Sequence, residues 1–319
     1  MPPLSSRRKS KDRLGALSAA EEKILRAAAH LPFFTAEDMT RLLSRKGSQG
    51  SHYRALLKTL SVSTPDRKTA YLHPFEMPQS AGNSRRIYTL TRRGAGLLRR
   101  LGVDASFWYR PWKASHHSFS FINHHLAVSK ILVSLFCFVR VFPAYQVVEL
   151  RHGFTLARKP PLLTQSVDGK ESSLPVIPDC WVYVERAEGT PPTIQGFPLW
   201  VEIDCGTETK AKFQHLLLQR IHLIRSKGYE AYFGTPAVLI CYLAVGATTD
   251  YRLRRLRTMR EWTAAVLNEQ QLTRWTATFR FSTIDEYLYD TLMLFTDPVW
   301  YLPDSDTLVP LFTHPKTKE

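Results

Sequence analysis

The sequence predicts an α/β protein in two units: a small helical unit with a β-hairpin, followed by a larger α/β sandwich. Charge is the first observation behind this. The 319-residue chain carries a net +15, and residues 1–110 hold 21 Lys+Arg against 8 Asp+Glu, so +13 of it lies there. The second is periodicity. From Phe119 onward, helix-period stretches alternate with short apolar runs in the order α-β-β-β-α-β-α-β-α, the pattern of helices layered on one sheet. The third is the stretch 199–208, Leu-Trp-Val-Glu-Ile-Asp-Cys-Gly-Thr-Glu. Its first half reads as a buried strand, yet it carries Glu202 and Asp204. Strand side chains alternate, so these two carboxylates share one face.

Residues 1–16 are rich in Ser, Lys and Arg with little to bury, and read as a disordered basic arm. Residues 17–104 read as a helix-turn-helix with a wing. Ser18 caps a helix over 19–30, with Glu21 and Glu22 at its positive end. Pro32 stops it, and Thr35 starts a second helix over 36–43. The Gly47–Gly50 turn leads to a third over 51–60, where Tyr53, Leu56, Leu57 and Leu60 face inward while His52, Arg54 and Lys58 do not. A basic third helix after such a turn is the expected recognition helix for duplex DNA. A hairpin follows, with strands near 70–72 and 86–90 and a polar tip over 79–84. Thr91 then caps a helix through Arg100. His52, Arg54, Lys58, Arg85, Arg86, Arg92 and Arg93 are the expected DNA contacts. A field this localised points to a polyanion, nucleic acid before a membrane surface.

Residues 105–319 form the second expected unit. The aromatic connector 104–115 precedes a mostly apolar helix over 116–139. The run 131–142 is too short to cross a bilayer and contains Arg140, so no membrane partner is expected. His116, His117, His124 and His125 diverge around that helix and read as packing residues rather than ligands. A strand over 145–150 ends in Glu149, and 151–173 reads as a loop. Strands over 181–184 and 199–204, a helix over 210–226 ended by Gly228, a central strand over 237–244, a helix over 251–267, a strand over 274–281 and a helix over 284–295 complete the chain. Cys137, Cys180, Cys205 and Cys241 are widely spaced, which argues against a zinc finger or a disulfide framework and for the reducing cytoplasm.

Asp179 opens one strand after Pro178, and Glu202 with Asp204 ends another. Together with Glu149 they outline a site for Mg²⁺ or Mn²⁺, which take oxygen ligands and promote attack on phosphodiesters. The order of helix, strand-Glu, Pro-Asp strand, Glu-x-x strand and helix resembles the PD-(D/E)xK nuclease core at Pro178, Asp179 and Glu202. Asp204 stands where that core has its catalytic lysine. The resemblance therefore leaves Lys210 or Lys212 to reach in from the following helix. A structural role competes with this: Asp204 can accept backbone N–H bonds from the turn after it.

A closer resemblance covers most of the chain. His124-x-Leu126-Ala127-Val128, Glu149, Pro178-Asp179 and Glu202-Ile203-Asp204-x-Gly206-Thr207-Glu208 resemble the replication-relaxation family of plasmids and other mobile elements. The resemblance implies a winged helix joined to a nuclease-like domain, and a role as an accessory protein or regulator of replication or transfer. The alternatives are a Mg²⁺-dependent endonuclease and a dimerising scaffold that recruits a relaxase. The partners this implies are double-stranded DNA, replication or transfer proteins and a second copy of the chain.

Overall fold

The fold is given by a computed structural model, which describes residues 17–44, 50–63, 70–78, 84–105, 107–113, 116, 118–167, 170–186, 196–284 and 293–312. The expected basic arm, the 79–83 part of the hairpin tip and most of the helix expected over 284–295 lie outside the described residues. The chain is mixed α/β and divides into two compact units, Met1–Ser129 and Lys130–Glu319.

In the first unit the chain runs α1 (Ala19–Ala28), β1 (Phe34–Thr35), α2 (Ala36–Leu43), α3 (Gly50–Leu60), β2 (Leu72–Pro78), β3 (Ser84–Leu90) and α4 (Arg92–Arg100). The three strands form an antiparallel sheet in the order β1-β3-β2. Local chemistry sets the helix starts. Ser18 and Thr35 each make a reciprocal capping box, with Glu21 and Asp38, and a cap of this kind contributes about 1 kcal/mol. Thr91 caps α4 by accepting from the Gly94 amide, while its hydroxyl donates to Ala70 O at 2.7 Å. Ile24, Leu25, Phe33, Phe34, Met39, Leu57, Ile87 and Leu98 are fully buried and form the core. The connector belongs to this unit: Phe107 lies 5.4 Å and Phe121 6.0 Å from Phe33, and Tyr109 sits against Phe75 and His73. The boundary expected from the sequence lies at 104/105. The contacts divide later, at 129/130, because these rings follow the connector onto the first sheet.

The division falls inside α5 (Phe119–Val141). By length and composition the whole helix is apolar enough to cross a bilayer, which the run 131–142 alone did not suggest. Some 67% of its most apolar stretch is nevertheless buried inside the protein.

The second unit continues with β4 (Tyr145–His152), α6 (Gly153–Leu156), β5 (Leu162–Val167), β6 (Lys170–Pro175), β7 (Cys180–Arg186), β8 (Gly196–Asp204), α7 (Lys210–Arg225), α8 (Gly228–Phe233), β9 (Leu239–Ala244), α9 (Thr249–Glu269), a 3₁₀ turn (Thr273–Thr278), β10 (Phe279–Thr283), α10 (Met293–Thr296), β11 (Trp300–Leu302) and β12 (Ser305–Val309). Seven strands form one mixed sheet in the order β12-β11-β10-β9-β8-β7-β4. Strands β8, β9 and β10 are parallel neighbours, and antiparallel strands close both sides. The β8-α7-β9 and β9-α9-β10 steps move the same way across the sheet. Right-handed crossovers then place both helices on one face. The core agrees: Trp181, Trp200, Tyr242 and Phe281 from the sheet meet Phe213, Leu217 and Ile221 of α7 and Met259 and Val266 of α9.

Three local expectations are corrected. The stretch 151–173 is no plain loop. It holds the single-turn α6, whose Gly153 amide bonds Asp179 O, and most of the separate β5-β6 hairpin. Residues 273–278 wind as a 3₁₀ turn rather than a strand, so β10 begins only at Phe279. Gly228 does not end α7. Lys227 takes the left-handed conformation (φ 60°), and Gly228 opens α8.

Candidate functional site

Register brings three of the four expected carboxylates together. Cys180 pairs Val201 across β7 and β8, so Asp179 falls opposite Glu202, and Asp204 lies two residues farther along the same face. Asp179 extends the ladder past the end of β7, its Oδ2 accepting the Ile203 amide at 2.7 Å. Glu149 is elsewhere. It is in register with Tyr183, about 13 Å along the strand from Asp179 at ~3.3 Å per residue, and it pairs with Arg151 at 2.5 Å. Lys212 is also spent outside the cluster, on Glu208 at 3.1 Å, and Lys210 stands exposed at the start of α7. Among the described residues, no three His, Cys, Asp or Glu side chains form a group that could hold a metal ion.

Two cations among the described residues reach the cluster: Arg220, and Arg255, which helical periodicity puts on the outer face of its helix but the structure turns in onto Asp204. Arg220 of α7 donates from Nε (3.0 Å) and approaches with Nη2 (2.8 Å) to Glu202 Oε1, which also accepts from Trp200 Nε1 at 2.5 Å. Its Nη1 donates to the Tyr242 hydroxyl at 3.0 Å. Arg255 of α9 forks onto Asp204, with Nε to Oδ1 at 2.7 Å and Nη2 to Oδ2 at 2.8 Å, and donates also to Glu208 O. Gly206 N completes Asp204 at 2.6 Å, and that glycine turns with φ +77°. Both pairs are nearly closed to water, with side-chain exposures of 8% and 11% for Arg220 and Glu202 and 11% and 4% for Arg255 and Asp204.

Burial dominates the electrostatics. Desolvation pushes Glu202 up to about 7, with Asp179 adding to the rise and Arg220 and Trp200 opposing it. Arg220 remains charged. Burial works against its charge, but Glu202, Tyr242, Glu208 and Asp179 together outweigh that and raise it. The hydrogen bond to Asp204 raises Arg255 in the same way. One signal for Arg220 was legible: a guanidinium at an apolar position of α7, on the face of Phe213 and Leu217, demands a buried anion.

The expected DNA contacts fall in two places. Arg54 and Lys58 of α3 and Arg86 of β3 line one cleft of about 460 Å³ with Thr35, Glu37 and Tyr88. Arg86 is paired with Glu76 at 2.5 Å, and Glu37 with Arg41 at 3.0 Å. His52 is exposed on α3 with its ring against Tyr53. Arg92 and Arg93 of α4 line a different cleft. The backbone of Arg85 lies in β3 opposite Met77, and its side chain lies outside what is described. As for the four histidines, His116 stacks on Phe121, His125 meets Phe121 and His124 edge-on, and His117 is outside the described residues.

The model of the replication-relaxation family matches residues 25–237. The chain belongs to the replication-relaxation family. The match spans both basic clefts and the carboxylates with Arg220, whereas Arg255 lies beyond it. Neither the curated proteins nor the solved structures provide a match to this replication-relaxation protein.

Proposed function

We propose that this protein is a DNA-binding accessory factor or regulator of mobile-element replication or transfer, and that it binds duplex DNA without cutting it. The first unit reads as a winged helix. Its α1–α3, three-stranded sheet and hairpin follow that order, and α3 offers Arg54 and Lys58 beside Arg86 for phosphate and groove contacts. The second unit reads as a PD-(D/E)xK-like core, which the convergence of Asp179, Glu202 and Asp204 on the central strands supports. It acts in the cytoplasm, in keeping with four cysteines spaced widely along the chain.

One observation carries the choice between binding and cutting: Arg220 and Arg255 stand at the carboxylates. Both oxygens of Asp204 and the Oε1 of Glu202 are taken by guanidinium groups. A Mg²⁺ or Mn²⁺ ion there would have to displace two buried cations, so these residues as arranged do not fit a divalent metal. The endonuclease reading keeps the support of the three converging carboxylates. The scaffold reading has no observation of its own.

Supercoiled plasmid incubated with the protein and Mg²⁺ or Mn²⁺ separates the readings. The expected result is a gel shift with the DNA intact, and no rise in melting temperature with millimolar Mn²⁺. Metal-dependent nicking abolished by Asp179→Ala would restore the endonuclease. A Mn²⁺-induced rise that vanishes in Asp179→Ala would restore the metal site.

A further inference from the structure

The cleft at α4 has a chemistry unlike that of the α3 cleft. Its volume is about 790 Å³, within the roughly 300–1,000 Å³ of sites that enclose small molecules. One wall is the outer side of α4 with Arg92, Arg93 and Arg100; the other is β2 with the connector, where Tyr109 and Trp112 stand. No acidic residue lines it among the described residues. Trp112 is 68% exposed, the most exposed large hydrophobic side chain described. Tyr109 is stacked on His73, with ring centroids 4.6 Å apart and planes 15° from parallel, so two rings stand together in that wall.

Two glycines of α4 sharpen the point. A Cβ at Gly94 would lie 2.3 Å from Tyr71 O, so packing requires that glycine. A Cβ at Gly96 would meet nothing within 4 Å, and Gly96 lines the cleft. A glycine inside a helix that packing does not need lowers stability, and here it keeps the floor of a cationic, aromatic cleft open.

Arginines along one wall and a presented indole suit a strand whose bases are unstacked. Phosphates meet the guanidinium groups, and an exposed base stacks on Trp112. Duplex DNA keeps its bases inside and offers nothing for that ring. We propose that the α4 cleft binds single-stranded DNA, as a site separate from the duplex-binding α3 cleft. The chemistry alone asks for unpaired nucleotides; the choice of DNA over RNA rests on the proposed function.

Fluorescence anisotropy on the full chain tests this, with labelled oligo(dT), oligo(rU) and a duplex at one salt concentration. Two variants probe the cleft: Trp112→Ala removes the stacking face, and Gly96→Leu fills the floor without touching a charge. Each should weaken oligo(dT) binding, the former by roughly 5- to 150-fold, the range for one lost base–aromatic stack. Duplex binding should stay within twofold of wild type. Arg54→Ala with Lys58→Ala should do the reverse, so failure of the duplex reading would be seen separately. Wild-type oligo(dT) binding in both cleft variants, or no oligo(dT) binding by the wild type, would overturn the site. Tighter binding of oligo(rU), lost in the same variants, would overturn its assignment to DNA. Should Gly96→Leu melt below wild type, Trp112→Ala at an exposed position decides alone.

Discussion

At the carboxylate cluster of the second unit, Arg220 and Arg255 each lie within 3.0 Å of a carboxylate oxygen, and both pairs are shut away from water. In the α3 cleft of the first unit, Arg54 and Lys58 stand exposed with no carboxylate partner among the described residues, while the acidic groups nearby are held by Arg41 and Arg86. Buried charge has to be matched by the fold itself, because removing water costs several kcal/mol per ion. Exposed charge need not be matched, and so remains available to a polyanion. Glu202 and Asp204 are thus matched from within the fold, whereas Arg54 and Lys58 meet no described carboxylate.

The largest effect should come from unmatching the buried pair. Arg220→Met leaves Glu202 buried without its cation and should cost about 3–5 kcal/mol at about pH 8, measured by urea unfolding. Adding Glu202→Gln to it should recover most of the loss. If the single variant costs under ~1 kcal/mol, the two regions do not differ in the way described.

Protons provide the next test. Glu202 is raised in the folded state from 4.5 to about 7, so the native protein holds its proton more tightly than the unfolded chain. Its contribution to stability is complete below about pH 4.5 and is lost as pH rises to about 7, by up to about 3 kcal/mol. Wild type should thus lose stability relative to Glu202→Gln across that interval. A difference between the two that does not change with pH would remove this account of the site.

The exposed side responds through binding rather than stability. Arg54→Ala with Lys58→Ala should leave the melting temperature nearly unchanged. It should flatten the salt dependence of duplex binding by about one slope unit for each lost phosphate contact. An unchanged slope would take α3 out of the interface. The smallest expected effect is at Gly96, where alanine should stabilise the protein by roughly 0.5–1 kcal/mol in thermal unfolding, since the added Cβ meets open space.

Local rules were enough for much of this. Ser18, Thr35 and Thr91 fixed the starts of α1, α2 and α4 because a cap is a bond within three residues. The period-2 rule put Glu202 and Asp204 on one face, and the basic excess of residues 1–110 followed from composition alone. The fold itself decided what those side chains touch. Arg220 lies 18 residues from Glu202, and Arg255 lies 51 residues from Asp204. Only the two crossovers onto one face of the sheet bring those helices back over β8. Register likewise separated Glu149 from Asp179, since a strand pairing is set by the whole sheet and not by the four residues around a glutamate. The α4 cleft was invisible for the same reason: Gly96 and Trp112 are ordinary residues 16 positions apart until helix, hairpin and connector enclose the space between them. A sequence states which charges exist and how they alternate, while neutralisation and enclosure arise from contacts between distant segments, which a single chain read in order does not contain.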